Sequence, residues 1–409
     1  MKKSLALALI GSLAAISTVT AQVDIYIVGS TAFRANAVRA ITNLYAANIT
    51  DLNDGTTNTV GNDVTSDTTV TFGGTIPSLF GAQTVQIHCY WSGSAQGIHS
   101  LCNADSLPFY TSSTHNTSTK ANHVADFIFS DVYQSSTPFN NYTLTDTNVA
   151  VLPFVWVRNY ASSTNLVNVT MQQLQNAIGT GKVALSYFTG MTNSIDTNTL
   201  VYFTGRNTDS GTRITTDADT FFVGSPKIWE MDLTANTPFL ASTNQLVGST
   251  YYGVGYTSGG QVRSALQAPS TSSMLGYLGY PDAAGKFGLS YGNSAIISYN
   301  GQLPYYNAML LTNVNGGNAI ITYTNHPDFS PVITGKYSYW CYEHAMIGGK
   351  VNATTANPPA VVLFNYMVTN GVDSDLVSLE NSASGPVTCV RLSEMRVSRS
   401  TDGGAITTN

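Results

Sequence analysis

The sequence predicts an α/β fold with largely parallel sheets, and two observations carry the prediction. One unit occurs three times: an apolar strand, a Gly/Ser/Thr turn, then a helical pattern. Strands that alternate with helices return the chain to the same sheet edge, which sets strands parallel. The second observation is composition. Hydrophobic residues make up 43% of the 409, enough to bury a large core, so the chain is not disordered by composition.

The elements follow in chain order. Lys2 and Lys3, the apolar run Leu5 to Ile16, and Val19-Thr20-Ala21 before Gln22 have the pattern of a secretory signal peptide over 1–21. The run is too short for a membrane span of about 20 residues. The first unit is Val23 to Val28, Gly29-Ser30-Thr31, then Phe33 to Ala47, where Ala37, Ile41 and Leu44 recur at helical spacing. Residues 50–75, rich in Thr, Asn, Asp and Gly, read as an extended loop or hairpin insertion. The second unit is Val85 to Trp91, a Gly/Ser turn over 92–97, then Ile98 to Asn103. A polar loop is expected at 111–120, and the strand Asp126 to Phe129 ends at Ser130-Asp131. Val149 to Val157 reads as a buried strand, and Thr170 caps a helix over Met171 to Ile178. The third unit is Leu200 to Thr204, a turn from Gly205 to Gly211, then Thr212 to Phe222. Pro358-Pro359 opens a helix expected to stop at Asn370-Gly371.

Charge excludes one class of function. Only 10% of the residues are charged, against roughly 25% in an average soluble domain. Loss of Lys2 and Lys3 with a leader takes the formal charge from −6 to −8. A nucleic-acid binder carries a basic footprint instead. Four cysteines in an exported chain favour disulfides, and the expected pairs are Cys89–Cys102 and Cys341–Cys389, each closing a local loop. No CxxC or paired-His spacing indicates a metal, and no cofactor is expected.

The turns carry the chemistry. Each ends a strand and starts a helix, whose first turn has unpaired N–H groups and a positive dipole end. Several such ends converging on one point make an anion site. Arg206 precedes Ser210-Gly211-Thr212 by four residues, offering a planar fork of donors beside backbone and hydroxyl donors. Asp131 would repel an anion unless the ligand brings a proton. Phosphate does and sulfate at neutral pH does not, so Asp131 would select phosphate through an unpaired-acceptor penalty.

Gly29-Ser30-Thr31, Ser92-Gly93-Ser94-Ala95-Gln96-Gly97, Ser130-Asp131 and Arg206 through Thr212 resemble, in order, the motifs of the periplasmic phosphate-binding proteins of ABC transporters, in the type II periplasmic binding protein superfamily. The resemblance implies two lobes, each a mostly parallel sheet flanked by helices, with the ligand in the cleft between them. Lobe 1 would hold 22–155 and 335–409, and lobe 2 would hold 156–334. It implies phosphate contacts from Ser30, Thr31, Ala32, Ser94, Asp131, Arg206, Ser210, Gly211 and Thr212, no catalysis, and a periplasmic or cell-surface protein with transporter membrane subunits as partners. The polar insertions and abundant Tyr also suit a structural or adhesive surface protein. A third reading is a serine hydrolase: Gly288-Leu289-Ser290-Tyr291-Gly292 has the nucleophile-elbow pattern, and Asp328 and His344 follow in triad order.

Overall fold

The computed structural model describes residues 22–56, 60–61, 63–240, 245–247, 250–252, 255–312, 316–351, 357–383 and 385–409. The leader expected at 1–21 lies outside them. β1 (Val23–Gly29) alternates in the way a strand covered on both faces must: Ile25 and Ile27 enter one core cluster and Val28 the other. α1 (Arg34–Tyr45) covers the first face with Ala37, Ile41 and Tyr45. The 50–75 insertion is a hairpin, β2 (Ile49–Asn53) against β3 (Thr69–Thr75), which extends the sheet from β4 (Thr84–Tyr90). α2 (Ser94–Asn103) covers the second face with Ile98 and Leu101. β5 (Leu107–Tyr110) and β6 (Lys120–His123) bracket the polar 111–119 stretch, and β7 (Phe127–Ser130) follows.

The strand expected at Val149 to Val157 is the central part of β8 (Leu144–Arg158), buried without a break from Val149 on. α3 (Met171–Thr180) opens with a capping box in which Thr170 and Gln173 satisfy each other's backbone N–H groups. Next come β9 (Lys182–Ala184), β10 (Leu200–Phe203), α4 (Gly211–Asp219), α5 (Gly259–Gln267) and β11 (Ser273–Gly279). The chain then forms β12 (Ala295–Tyr299), β13 (Asn318–Thr322), β14 (Trp340–Gly348), α6 (Pro358–Tyr366) and α7 (Val372–Glu380).

The strands run in the order β9-β10-β11-β8-β14-β7-β1-β4-β3-β2. Pairing is parallel where a crossover helix returns the chain, in β7-β1-β4 and in β10-β11. It is antiparallel at the hairpin edge and along the long strands that join the two groups. β8 is shared: residues 144–153 pair with β14, and 154–158 pair with β11 and β12. Trp156, fully buried near its end, packs against Tyr277 at 5.7 Å and stacks on Tyr339 at 5.6 Å. Burying a ring of that size contributes about 4–6 kcal/mol before conformational entropy opposes it. Because β7, β1 and β4 are parallel, Ser130, Gly29 and Tyr90 end on one sheet edge. Ligands of α/β sheets lie at such carboxyl ends.

Two expectations are corrected. The helix at Pro358 does not stop at Asn370-Gly371: Met367–Gly371 forms one π-type turn, and α7 continues from it. Gly371 has φ −60° and ψ −50°, so it stays helical rather than turning left-handed. The cysteines form no disulfide; all four are buried thiols. Cys89 lies in the core cluster on one face of the sheet and Cys102 in the cluster on the other, so the sheet separates them. Cys341 on β14 and Cys389 flank β8 from opposite sides, because Val151 stands between Tyr342 and Val390. Two strand spacings are about 10 Å, beyond the Cα separation of about 7 Å that a disulfide spans. Among the described residues, no helix is long and apolar enough to cross a membrane.

Denatured without reductant, the protein should titrate four thiols per chain with a colorimetric thiol reagent, and almost none when native. A count of two or zero in the denatured chain contradicts the arrangement.

Candidate functional site

The turn after β1 starts the site. Ser30 Oγ accepts the N–H groups of Ala32 and Phe33, each at 3.2 Å, so this hydroxyl holds the turn and opens α1. Thr31 Oγ1 instead accepts from Arg206 Nη1 at 3.0 Å, 175 residues away in the chain. Arg206 is 1% exposed. Its Nε and Nη2 donate to the carbonyls of Tyr256 at 3.2 Å and Thr257 at 3.0 Å, and its backbone N–H donates to Tyr277 Oη at 3.0 Å. The guanidinium is therefore fixed in direction before any ligand arrives. Burial lowers its pKa, opposed first by the Asp282 carboxylate and then by Tyr277 and Asp131.

The second cluster forms around Asp131, also 1% exposed, just past β7. Ser94 Oγ donates to its Oδ1 and accepts its backbone N–H at 3.0 Å. Thr212 Oγ1 donates to its Oδ2 at 3.1 Å. Burial pushes the Asp131 carboxyl up, while the Ser94 bond, the Arg206 charge and the Thr212 bond pull it back. Asp131 thus already accepts from two hydroxyls of the chain. Each oxygen keeps a second acceptor direction for a ligand proton.

Two glycines let these turns meet. A Cβ on Gly211 would lie 1.8 Å from Asp131 Oδ1 and 2.9 Å from Ser94 Cβ. Gly93 has φ +131°, a conformation that favours glycine, and a Cβ there would lie 2.3 Å from the Asp209 carbonyl. That carbonyl accepts the Ala95 N–H at 3.1 Å, which binds the start of α2 to the turn before α4. Ala32 is packed as closely from the other direction: a Cβ on Gly279, at the end of β11, would sit 2.6 Å from its methyl. Ser210 Oγ accepts the Arg213 N–H at 3.3 Å and is the N-cap of α4.

Ser94, Asp131, Gly211 and Thr212 meet in one cluster and Thr31 meets Arg206 in another; Ser30 holds its own turn, Ser210 caps α4, and Ala32 packs against Gly279. Others have no local signal. Tyr277 receives the Arg206 N–H from within β11. Arg34 and Asp282 are buried beside the site, 5% and 6% exposed. Burial raises the Asp282 pKa, offset by Arg34, Arg206 and Arg263 in that order. A basic residue in the first turn of α1 is the only sequence hint of Arg34, and Asp282 lies after a strand that carries no turn motif.

The hydrolase arrangement is absent. Ser290 lies exposed in a short 3₁₀ turn, Leu289–Tyr291, followed by β12 and not by a helix. His344 is buried in β14 with Nδ1 2.8 Å from Asp146 Oδ1, whereas Asp328 bonds to Ser330.

No family model matches the chain, and no curated protein does. Solved structures show similarity in overall course. A structure described as a phosphate ABC transporter substrate-binding protein with bound phosphate, from Clostridium perfringens, has 11% identity and a TM-score of 0.48 over 90% of this chain and 99% of its own. An ABC-type phosphate transport receptor from Vibrio cholerae has 12% identity and a TM-score of 0.44 over 87% and 98%. The CcmR regulatory domain from Synechocystis, in complex with 2-PG, has 8% identity and a TM-score of 0.39 over 85% and 98%.

Buried acids give the site's surroundings a pH signature. Burial pushes Asp209, Asp217, Asp219, Asp375 and Asp402 each up to about 6. Between about pH 4 and 6 the folded chain holds protons that the unfolded chain has released, so stability rises as pH falls through that window. His123, whose pKa burial lowers, opposes the trend, as do Asp24, Asp63 and Asp232, whose carboxyls are held below the usual range by hydrogen bonds. The thermal midpoint by scanning calorimetry should be higher at pH 5 than at pH 7; a lower midpoint at pH 5 contradicts the burial of these carboxyls.

Proposed function

We propose that the protein is a non-enzymatic, extracytoplasmic receptor for inorganic phosphate that serves uptake through an ABC transporter. The observation that supports this is the pairing of one fixed, fully buried guanidinium with one fully buried carboxylate, Arg206 and Asp131, on turns rich in hydroxyls. The anion would lie among Thr31, Ala32, Ser94, Asp131, Arg206, Gly211 and Thr212, with Ser30 and Ser210 holding the helix starts that face it. Lobes of 22–155 plus 335–409 and of 156–334 would close over it, bending where β8 and β14 run between them. The close approaches of Gly93 to Asp209 and of Ala32 to Gly279 suit a closed arrangement.

Energetics favour short-range recognition. A charge-assisted hydrogen bond is worth about 1.5–3 kcal/mol net, and more donors can be supplied by backbone and hydroxyls than by charges in this chain. Arg206 provides a fixed positive charge at the turns, and Asp131 accepts the ligand's proton. Sulfate, having none at neutral pH, would leave a carboxylate oxygen facing an anion oxygen.

Calorimetry at pH 7.5 should show one phosphate bound per chain and sulfate bound at least tenfold more weakly. Asp131→Asn should narrow that gap by tenfold or more, and Arg206→Gln should abolish phosphate binding with circular dichroism unchanged. An unchanged phosphate-to-sulfate ratio in Asp131→Asn overturns the selection mechanism. No anion bound by the wild type overturns the receptor reading and favours a structural or adhesive role.

A further inference from the structure

A second feature adjoins the turns. A cleft of about 810 Å³ opens beside Thr31 and Ala32, between α1, the 63–66 loop, α5 and the segment after β11. Its walls hold Arg34, Arg39, Arg263 and Lys286 against Asp63 and Asp282, a local charge of +2 on a chain whose net charge is −6. The cations differ in how far they are committed. Arg34 Nε donates to the Thr65 carbonyl at 3.0 Å, and Arg263 Nη1 reaches the Asp282 carbonyl at 3.3 Å. Arg39 Nε lies 3.5 Å from Asp375, yet its Nε and Nη2 are buried without a hydrogen-bond partner. Lys286 is exposed at the mouth. Asp63 is exposed; it accepts the N–H of Thr65 at 2.9 Å and its hydroxyl at 2.6 Å, and its charge also faces Arg39 and Lys286.

The volume is that of a small organic ligand and far exceeds the needs of one inorganic anion. Asp375 pairs with Arg39, and Asp67 and Asp282 face Arg34, so attraction for an acidic ligand rests on Arg263 and Lys286. Asn43, Ser66, Asn325 and Tyr323 also line it and offer neutral hydrogen-bonding groups and a ring. We propose that the cleft takes the body of a phosphorylated polyol with two anionic groups: one phosphoryl group at the Thr31–Arg206 turn, the second near Arg263 and Lys286. For its first phosphoryl group this rests on the receptor reading; the cleft itself does not.

The test compares three probes on the full chain by calorimetry: inorganic phosphate, fructose 6-phosphate and fructose 1,6-bisphosphate. The bisphosphate should bind at least tenfold more tightly than either of the others. Arg263→Gln/Lys286→Gln, altered at part-exposed and exposed positions, should lower bisphosphate affinity at least tenfold more than phosphate affinity. If phosphate binds and the three probes agree within threefold, the cleft proposal falls and the receptor reading stands. The cleft proposal also falls if the double variant weakens all three equally. If the bisphosphate binds in a way that depends on Arg263 and Lys286 while phosphate does not bind, the phosphate reading falls and the cleft proposal stands. Binding of none of the three overturns both.

Discussion

The contact of Gly211 with Asp131 and Ser94 is the constraint on which the rest of the site depends. It has no clearance: a single methyl at Gly211 would overlap a carboxylate oxygen. The contact joins turns from three strands, because Asp131 ends β7, Ser94 starts the helix after β4, and Gly211 starts the helix after β10. The parallel register of β7, β1 and β4 puts the first two on one edge. The β10 turn meets them because β8 runs through both parallel groups. Arg206 is carried on that same turn, so its contact with Thr31 follows from the same docking. Packing thus positions the charges, and the charges do not have to find one another through solvent.

Sparse charge then has a structural consequence. With 17 basic and 23 acidic residues in the chain, each buried ion has few possible partners. Arg206, Arg34 and Asp282 are all nearly inaccessible; burial is the largest influence on each, and the opposite charges of the others offset part of it. Most of the hydrogen bonds that hold Arg206 come from carbonyls and hydroxyls rather than carboxylates. Fixed dipoles of this kind stabilise an ion without adding net charge. On the proposed function, the arrangement would let a net-negative chain hold an anion: screening reduces long-range repulsion beyond about 8 Å at physiological salt, and the donors act within 3 Å or so.

The strand-turn-helix units were legible because each is local: Ile25 and Ile27, then Gly29 to Thr31, then Ala37 and Ile41 show strand, turn and helix within one stretch. The contacts among Ser94, Asp131 and Thr212 and between Thr31 and Arg206 join residues of those same local turns. Arg34, Tyr277 and Asp282 were not legible, because their partnership exists only after distant segments pack. The cysteines misled because an even count says nothing of which face of the sheet each occupies. Cys89 and Cys102 are close in sequence yet lie in different core clusters. Gly371 misled because glycine permits a left-handed residue without requiring one; here the π-type turn at Met367–Gly371 absorbs it.

On the proposed function, an anion would be held only when the α4 turn seats against Asp131 and Ser94. The most direct measurement is a calorimetric phosphate titration of Gly211→Ala beside the wild type, with circular dichroism as the check on folding. The account predicts a folded variant with no detectable phosphate binding beside a wild type that binds one per chain. A folded Gly211→Ala that binds phosphate with wild-type affinity would contradict it.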